Sequence, residues 1–347
     1  MRYVGYRQGD RGTPMIRILR CANLEPVEAL LHLPLEGLVA FHQPSLHNLW
    51  CMTASPLDAR PYNERSALLF GLSAVLLWST VATGFKLGLR VLEPVQLLWL
   101  GSTISFALFA TCFLATRRWR HWPVDWKRMA LLGLANPVLY YLILFEAYNR
   151  LPAQIAQPLN YTWSITLAIL AVPLLKQPLT RRVILGIVVS YAGVLVLLSQ
   201  GRWDGALTID GIGVALALFS TVLWAGYWLA SVRLGADPII LMTLGFGTGS
   251  LLLTAICALS TGLPALTPEH LGYGAWVGLV EMGFGFLFWQ IALARTQHAA
   301  KLGQLIYLSP VISLMLIGTV LGETIYWTSV AGILVIIAGL IVARRRA

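Results

Sequence analysis

Five polar side chains on one short stretch, QIAQPLNYTWS, are the first candidates for chemistry. Gln154, Gln157, Tyr161 and Ser164 recur at three- and four-residue steps, so a helix carries them as one stripe with Asn160 beside it. The flanking residues are apolar, and polar groups in such a span must face protein or water rather than lipid. The stripe therefore reads as the wall of a cavity or as a helix–helix hydrogen-bonding seam. Glu281 lies halfway along another apolar run, in LVEMGFGFLFW. A midspan carboxylate is costly, which makes binding a substrate amine or carrying a coupling proton its functional readings. The structural reading is a neutral, hydrogen-bonded Glu. Glu146 lies nearer a run end, where interfacial water reaches it.

Aromatic residues add a second set. Trp78 with Trp224 and Tyr161 with Tyr307 occupy matching places in the two halves of the chain. Trp163, Tyr227, Phe288 and Trp289 add further rings, which could stack a flat substrate, hold a cation or simply pack. The candidate substrate-binding set is Trp78, Gln157, Asn160, Tyr161, Trp163, Ser164, Trp224, Tyr227, Glu281, Gln304 and Tyr307.

Other chemistries find less support. Cys21, Cys51, Cys112 and Cys257 show no CxxC or Cys/His spacing, so they read as small buried thiols, with no metal or cofactor expected. LGFGTGS at 244–250 lies inside an apolar run and lacks the Lys of a phosphate loop. His298 stands near a run edge without a GxSxG or HExxH partner.

The elements that carry these residues follow from composition. The chain has 347 residues, is 57% hydrophobic and only 12% charged. Its apolar runs approach the 20 residues that a helix needs to cross a bilayer. Ten runs stand at about 66–86, 94–115, 129–149, 153–175, 181–199, 211–232, 238–260, 272–293, 299–321 and 325–343. In lipid each must be a helix to satisfy its backbone. The expected fold is an all-α polytopic membrane protein of ten transmembrane helices in two inverted five-helix repeats. The net charge of +10 sits in short connections, which argues for topology rather than nucleic-acid binding. Fourteen Lys and Arg, among them Arg117, Arg118, Lys176, Arg182 and Arg344, fall on one side, against Lys86, Arg90, Arg150 and Arg202 on the other. That asymmetry predicts cytoplasmic termini. Residues 1–62 lie outside the pattern and read as a disordered extension or as sequence upstream of the true start, with Met52 the expected start of translation.

A single shift of 146 residues superimposes the halves, 66–199 on 211–343. Besides the aromatic pairs, it matches Leu170 with Leu316, Gly186 with Gly332 and Gly193 with Gly339. An odd number of helices per unit forces the copies into opposite orientations, the plan of alternating-access transporters with a site at the midplane. The recurring glycines suggest close helix packing, within one chain or in a homodimer.

These features are similar to the EamA-type drug/metabolite transporters. AVLLWSTVATGFKLGL resembles that family's first helix. IYLSPVISLMLIGTVLGETI resembles its ninth, with Pro310, Gly322 and Glu323 at the matching places. PLNYTWS, through Asn160, Tyr161 and Trp163, resembles a stretch of the bacterial aromatic amino acid exporters, although Ser164 replaces the expected proline. The first repeat also has Lys176-Gln177 in place of Gly322-Glu323. The resemblance implies an inner-membrane exporter with a central cavity and does not settle the substrate. The expected function is a secondary transporter exporting small organic solutes, with amino acids or related metabolites favoured. Its partners would be the substrate and the lipid bilayer, without nucleic acid. An intramembrane enzyme acting on lipid or peptide, or a passive facilitator, are the alternatives.

Overall fold

The computed structural model describes residues 63–163, 165–167, 169–170, 180–201, 209–234, 237–296 and 302–344. The expected start at Met52, Ser164 and the side chain of Gln304 lie outside the described residues. Within them the chain is helical, without strands. The helices are α1 (Glu64–Gly88), α2 (Pro94–Ala115), α3 (Trp126–Arg150), α4 (Ala153–Tyr161), α5 (Arg181–Leu198), α6 (Gly211–Arg233), α7 (Pro238–Leu259), α8 (Pro268–Leu293), α9 (Leu305–Leu321) and α10 (Trp327–Arg344). Seven of these, α1–α3 and α5–α8, are long and apolar enough to cross a membrane, and α9 and α10 are shorter apolar helices. Large apolar side chains point outward, as lipid requires: Leu251 is 75% exposed and Leu195 69%. The chain is thus a multi-pass membrane protein.

Local sequence sets the helix starts. Asn63 caps α1 by accepting from Ser66 N at 3.0 Å. Glu93 and Gln96 form a capping box around Pro94 at the start of α2. Asp237 accepts from Ile239 N and Ile240 N, with Pro238 opening α7. Thr267 accepts from His270 N ahead of α8.

The third helix of each half carries an irregularity that the apolar pattern does not announce. A π-helical turn spans Leu134–Leu139 in α3, where Asn136 leaves helical geometry at φ −143° and ψ 116°. The shift of 146 carries this turn onto residues 280–285, and α8 is π-helical over Trp276–Gly285. Glu281 therefore sits on a widened turn rather than on a regular helix.

The two halves meet through matched partners. α1 packs on α8 and α6 on α3, which are the same pairing seen from either copy. α2 packs on α7, where Phe109 stacks on Phe246 with ring centres 5.8 Å apart. α5 packs along α10, and here the recurring glycines find their use. A Cβ on Gly193 would approach Ile336 N at 2.7 Å and Gly332 O at 2.8 Å. Ser190 adds a hydrogen bond to Ile336 O at 3.2 Å. Gly186, Gly193, Gly332 and Gly339 thus bring α5 and α10 close within the chain.

Candidate functional site

Between the halves lies a cavity of about 680 Å³ of space between atoms, including its opening to solvent. α1 contributes Trp78, Val81 and Phe85, which share one face at three- and four-residue steps. α3 contributes Tyr140, Leu144 and Tyr148 at strict four-residue steps. α4 supplies Gln157, Asn160 and Tyr161, followed by Trp163. α6 adds Trp224 and Trp228, α8 adds Glu281, Phe286 and Trp289, and α9 adds Ile306.

The aromatic walls repeat across the duplication. Trp78 lies edge-on to Phe286 at 5.8 Å, and Trp224 stacks on Tyr140 at 4.7 Å. The shift of 146 relates Trp78 to Trp224 and Tyr140 to Phe286, so these are one contact made twice. Trp224 also reaches Phe286 at 5.5 Å, which joins the two sets. Such edge and stacked pairs hold the rings in place beyond the effect of burial alone.

Polar groups are few and mostly committed. The Tyr141 hydroxyl donates to Glu281 Oε1 at 3.0 Å. The Trp78 indole N–H points at the Glu281 backbone carbonyl, 3.4 Å away, which ties the widened turn of α8 to the middle of α1. Asn160 Nδ2 donates to Ser220 Oγ at 3.1 Å, and its amide meets the Tyr140 hydroxyl. The Tyr161 hydroxyl pairs with Ser309 Oγ at 2.6 Å, from α4 to α9. Each of these bonds crosses between helices, so the lining is held by its neighbours rather than by local sequence.

The structure thus brings Trp78, Gln157, Asn160, Tyr161, Trp163, Trp224 and Glu281 to one cavity. It does not bring Tyr227 or Tyr307 there. Tyr227 stacks against Trp224 with ring centres 6.1 Å apart and backs the wall. Tyr307 lines a smaller apolar pocket with Pro158, Pro310 and Ile333, to which its mate Tyr161 also contributes, so that Tyr161 lines both spaces. Gln154, the first residue of the polar stripe, also lies apart from the cavity lining. Its amide donates to Thr324 O at 2.8 Å and accepts from Ser329 at 2.7 Å, which is helix–helix bonding. α3 and α8 thus line the cavity together with α1, α4, α6 and α9. Tyr140, Leu144 and Tyr148 lie outside the expected set, although their four-residue spacing in YYLILFEAY is a readable signal.

The start of α4 is held from the other half of the chain. Glu323 accepts from Ala153 N at 2.8 Å and from Gln154 N at 3.2 Å. Lys86 Nζ donates to Tyr148 O at 2.8 Å and Leu151 O at 3.0 Å, closing the end of α3. Glu146 joins Arg150 at 2.7 Å, and Arg150 reaches Asp210 at 3.3 Å. The Glu146 carboxylate therefore belongs to an exposed ion-pair chain and not to the cavity. Asp210 is held below its usual carboxylate range, first by the Gly213 N–H it accepts and further by Arg150 and the Ile212 N–H. Among the described residues no group of His, Cys, Asp and Glu is placed to hold a metal.

Comparison with known proteins gives this cavity its setting. The EamA-like transporter family model matches twice, at residues 65–199 and 211–345. An uncharacterized transporter of Archaeoglobus fulgidus is 25% identical over 278 residues, covering 78% of this chain and 96% of its own. The aromatic amino acid exporter YddG of Ancylobacter novellus is 28% identical over 266 residues, covering 74% of this chain and 88% of its own. A protein solved by crystallography shares the fold at a TM-score of 0.59 and 23% identity, over 81% of this chain and 96% of the other. With both halves matched by one family model and the relatives named as transporters, the chain belongs to the EamA-like transporter family and is a membrane transporter.

Proposed function

We propose that the protein is a secondary transporter that exports small organic metabolites by alternating access through the cavity between its halves. In this reading ten helices form two inverted five-helix units, 66–199 and 211–343, in an inner membrane with both termini cytoplasmic. The observation that carries it is the repeated aromatic contact. Trp78–Phe286 and Trp224–Tyr140 place equivalent rings from both copies on the walls of one cavity. Rocking of one unit against the other would open that cavity to either side while the lining stays assembled. A solute or ion gradient would drive the cycle.

Amino acids or related compounds are the favoured cargo. The Ancylobacter novellus relative is named for aromatic amino acids, and the ring-rich lining suits a flat apolar group. The polar end of the cargo would meet Gln157, Asn160 and Glu281. The test is a growth-resistance screen against amino acids and their toxic analogues, with the gene expressed in a sensitive host. Expression should protect against at least one aromatic analogue, and Trp78→Ala or Tyr161→Ala should abolish that protection at equal protein levels. Protection that survives both substitutions would remove the cavity from the mechanism.

A further inference from the structure

Glu281 is held through one oxygen only. Tyr141 donates to Oε1, and Oε2 has no hydrogen-bond partner among the described residues, although the side chain lines the cavity. Among the described lining residues there is no Lys, Arg or His to balance that carboxylate. The same cavity is lined by rings that include Trp78, Trp224, Phe286 and Trp289. Nearby polar groups are neutral, and Asn160 and Tyr161 already bond to Ser220 and Ser309.

We infer that the cavity takes an organic monocation, an aromatic or apolar amine in its protonated form, with Glu281 Oε2 as counter-ion and ring faces around the ammonium. The inference rests on the transport reading and departs from it in the cargo, placing the related amines ahead of the amino acids themselves. An ammonium between a carboxylate and indole faces gains both a charge-assisted hydrogen bond and cation–π attraction. The carboxylate of a zwitterionic amino acid meets no cation among the described lining residues and faces Glu281 itself, so its burial is opposed. An anion lacking the amine is opposed more strongly. Selectivity therefore follows the charge on the cargo more than the shape of its ring.

Tryptamine, tryptophan and indole-3-propionate separate these cases, since they share one ring and differ in charge. Radiolabelled tryptamine is bound to the purified full chain and displaced by each of the three. The expected result is saturable binding, with tryptophan at least tenfold weaker and indole-3-propionate weaker still. Glu281→Gln should weaken tryptamine at least tenfold and narrow the gap between the three ligands. Glu281→Asp, which keeps the charge, should retain the amine preference and covers the case in which the Gln variant fails to fold. Equal or tighter binding of tryptophan or the anion, or no tryptamine binding by the folded wild type, overturns the inference. Uptake of the same label into proteoliposomes separates the two readings. Tryptamine that binds but does not cross refutes transport and keeps the amine site, whereas tryptophan moved in preference to tryptamine refutes the amine site and keeps transport.

Discussion

Glu323 offers the sharpest test of how the two halves are tied together. Its carboxylate accepts from Ala153 N and Gln154 N at the start of α4. Pro152 has no N–H, and its carbonyl already takes Ile155 N and Ala156 N at 3.0 Å. The first turn is therefore fully satisfied only while Glu323 is present. Ala153 and Gln154 are 0% and 3% exposed, so truncation leaves two donors with little access to water. At about 1–3 kcal/mol per stranded group, Glu323→Ala costs about 2–6 kcal/mol, and water entering the space recovers part of this. A loss of about 2–3 kcal/mol corresponds to a fall in Tm of about 4–12 °C by the scaling of domains of 150–250 residues. Glu323→Gln keeps one acceptor oxygen and should lose about half as much. Thermal unfolding in lipid nanodiscs, read by the tryptophan signal, measures both. A Glu323→Ala variant within about 1 °C of wild type would refute the capping argument.

Three further outcomes follow from the same geometry. Gly193→Val places a side chain against Ile336 N and Gly332 O, and should cost at least about 2 kcal/mol in the same unfolding assay, while Val194→Ala on the next position costs less. Ser220→Ala leaves the Asn160 amide its contact with the Tyr140 hydroxyl and should lower transport of the screened solute a few-fold, about 1 kcal/mol of positioning. Asp210 titrates below 3.8, so the stabilisation by its charged form is fully present above that pH and is lost as pH falls through the folded value. The Tm difference between wild type and Asp210→Asn should therefore be constant from pH 7 down to about 4 and shrink below 3.8.

Much of the fold is written in the sequence, because lipid makes hydropathy a direct report on helices and a constant 146-residue shift reports the duplication. The runs at 94–115 and 181–199 agree with α2 and α5 to within a residue. The irregular turn in α3 has a readable mark in Pro137, which lacks the N–H of a regular ladder, whereas the turn in α8 contains no proline and was not legible. Long-range bonds were hidden as well. Nothing near Glu323 announces a bond to Ala153, 170 residues away.

The candidate site divides along similar lines. Residues on a clear helical stripe, such as Gln157 and Tyr161, fall on the cavity. Gln154 belongs to the same stripe, but one turn further along it meets α10 through Ser329. The repeat places Trp78 and Trp224 on one cavity and Tyr307 on the smaller pocket that it shares with Tyr161. Glu281 drew notice as a lone carboxylate, while its partner Tyr141 needed the fold to be seen.

Counterflow in proteoliposomes addresses the central claim most directly. Vesicles preloaded with an unlabelled solute from the resistance screen are diluted into its labelled form. The account predicts saturable uptake that is accelerated several-fold by the preloaded solute and abolished by Trp78→Ala and Trp224→Ala alike, since both rings wall one cavity. Linear uptake without acceleration, or full activity in either variant, would contradict alternating access through this cavity.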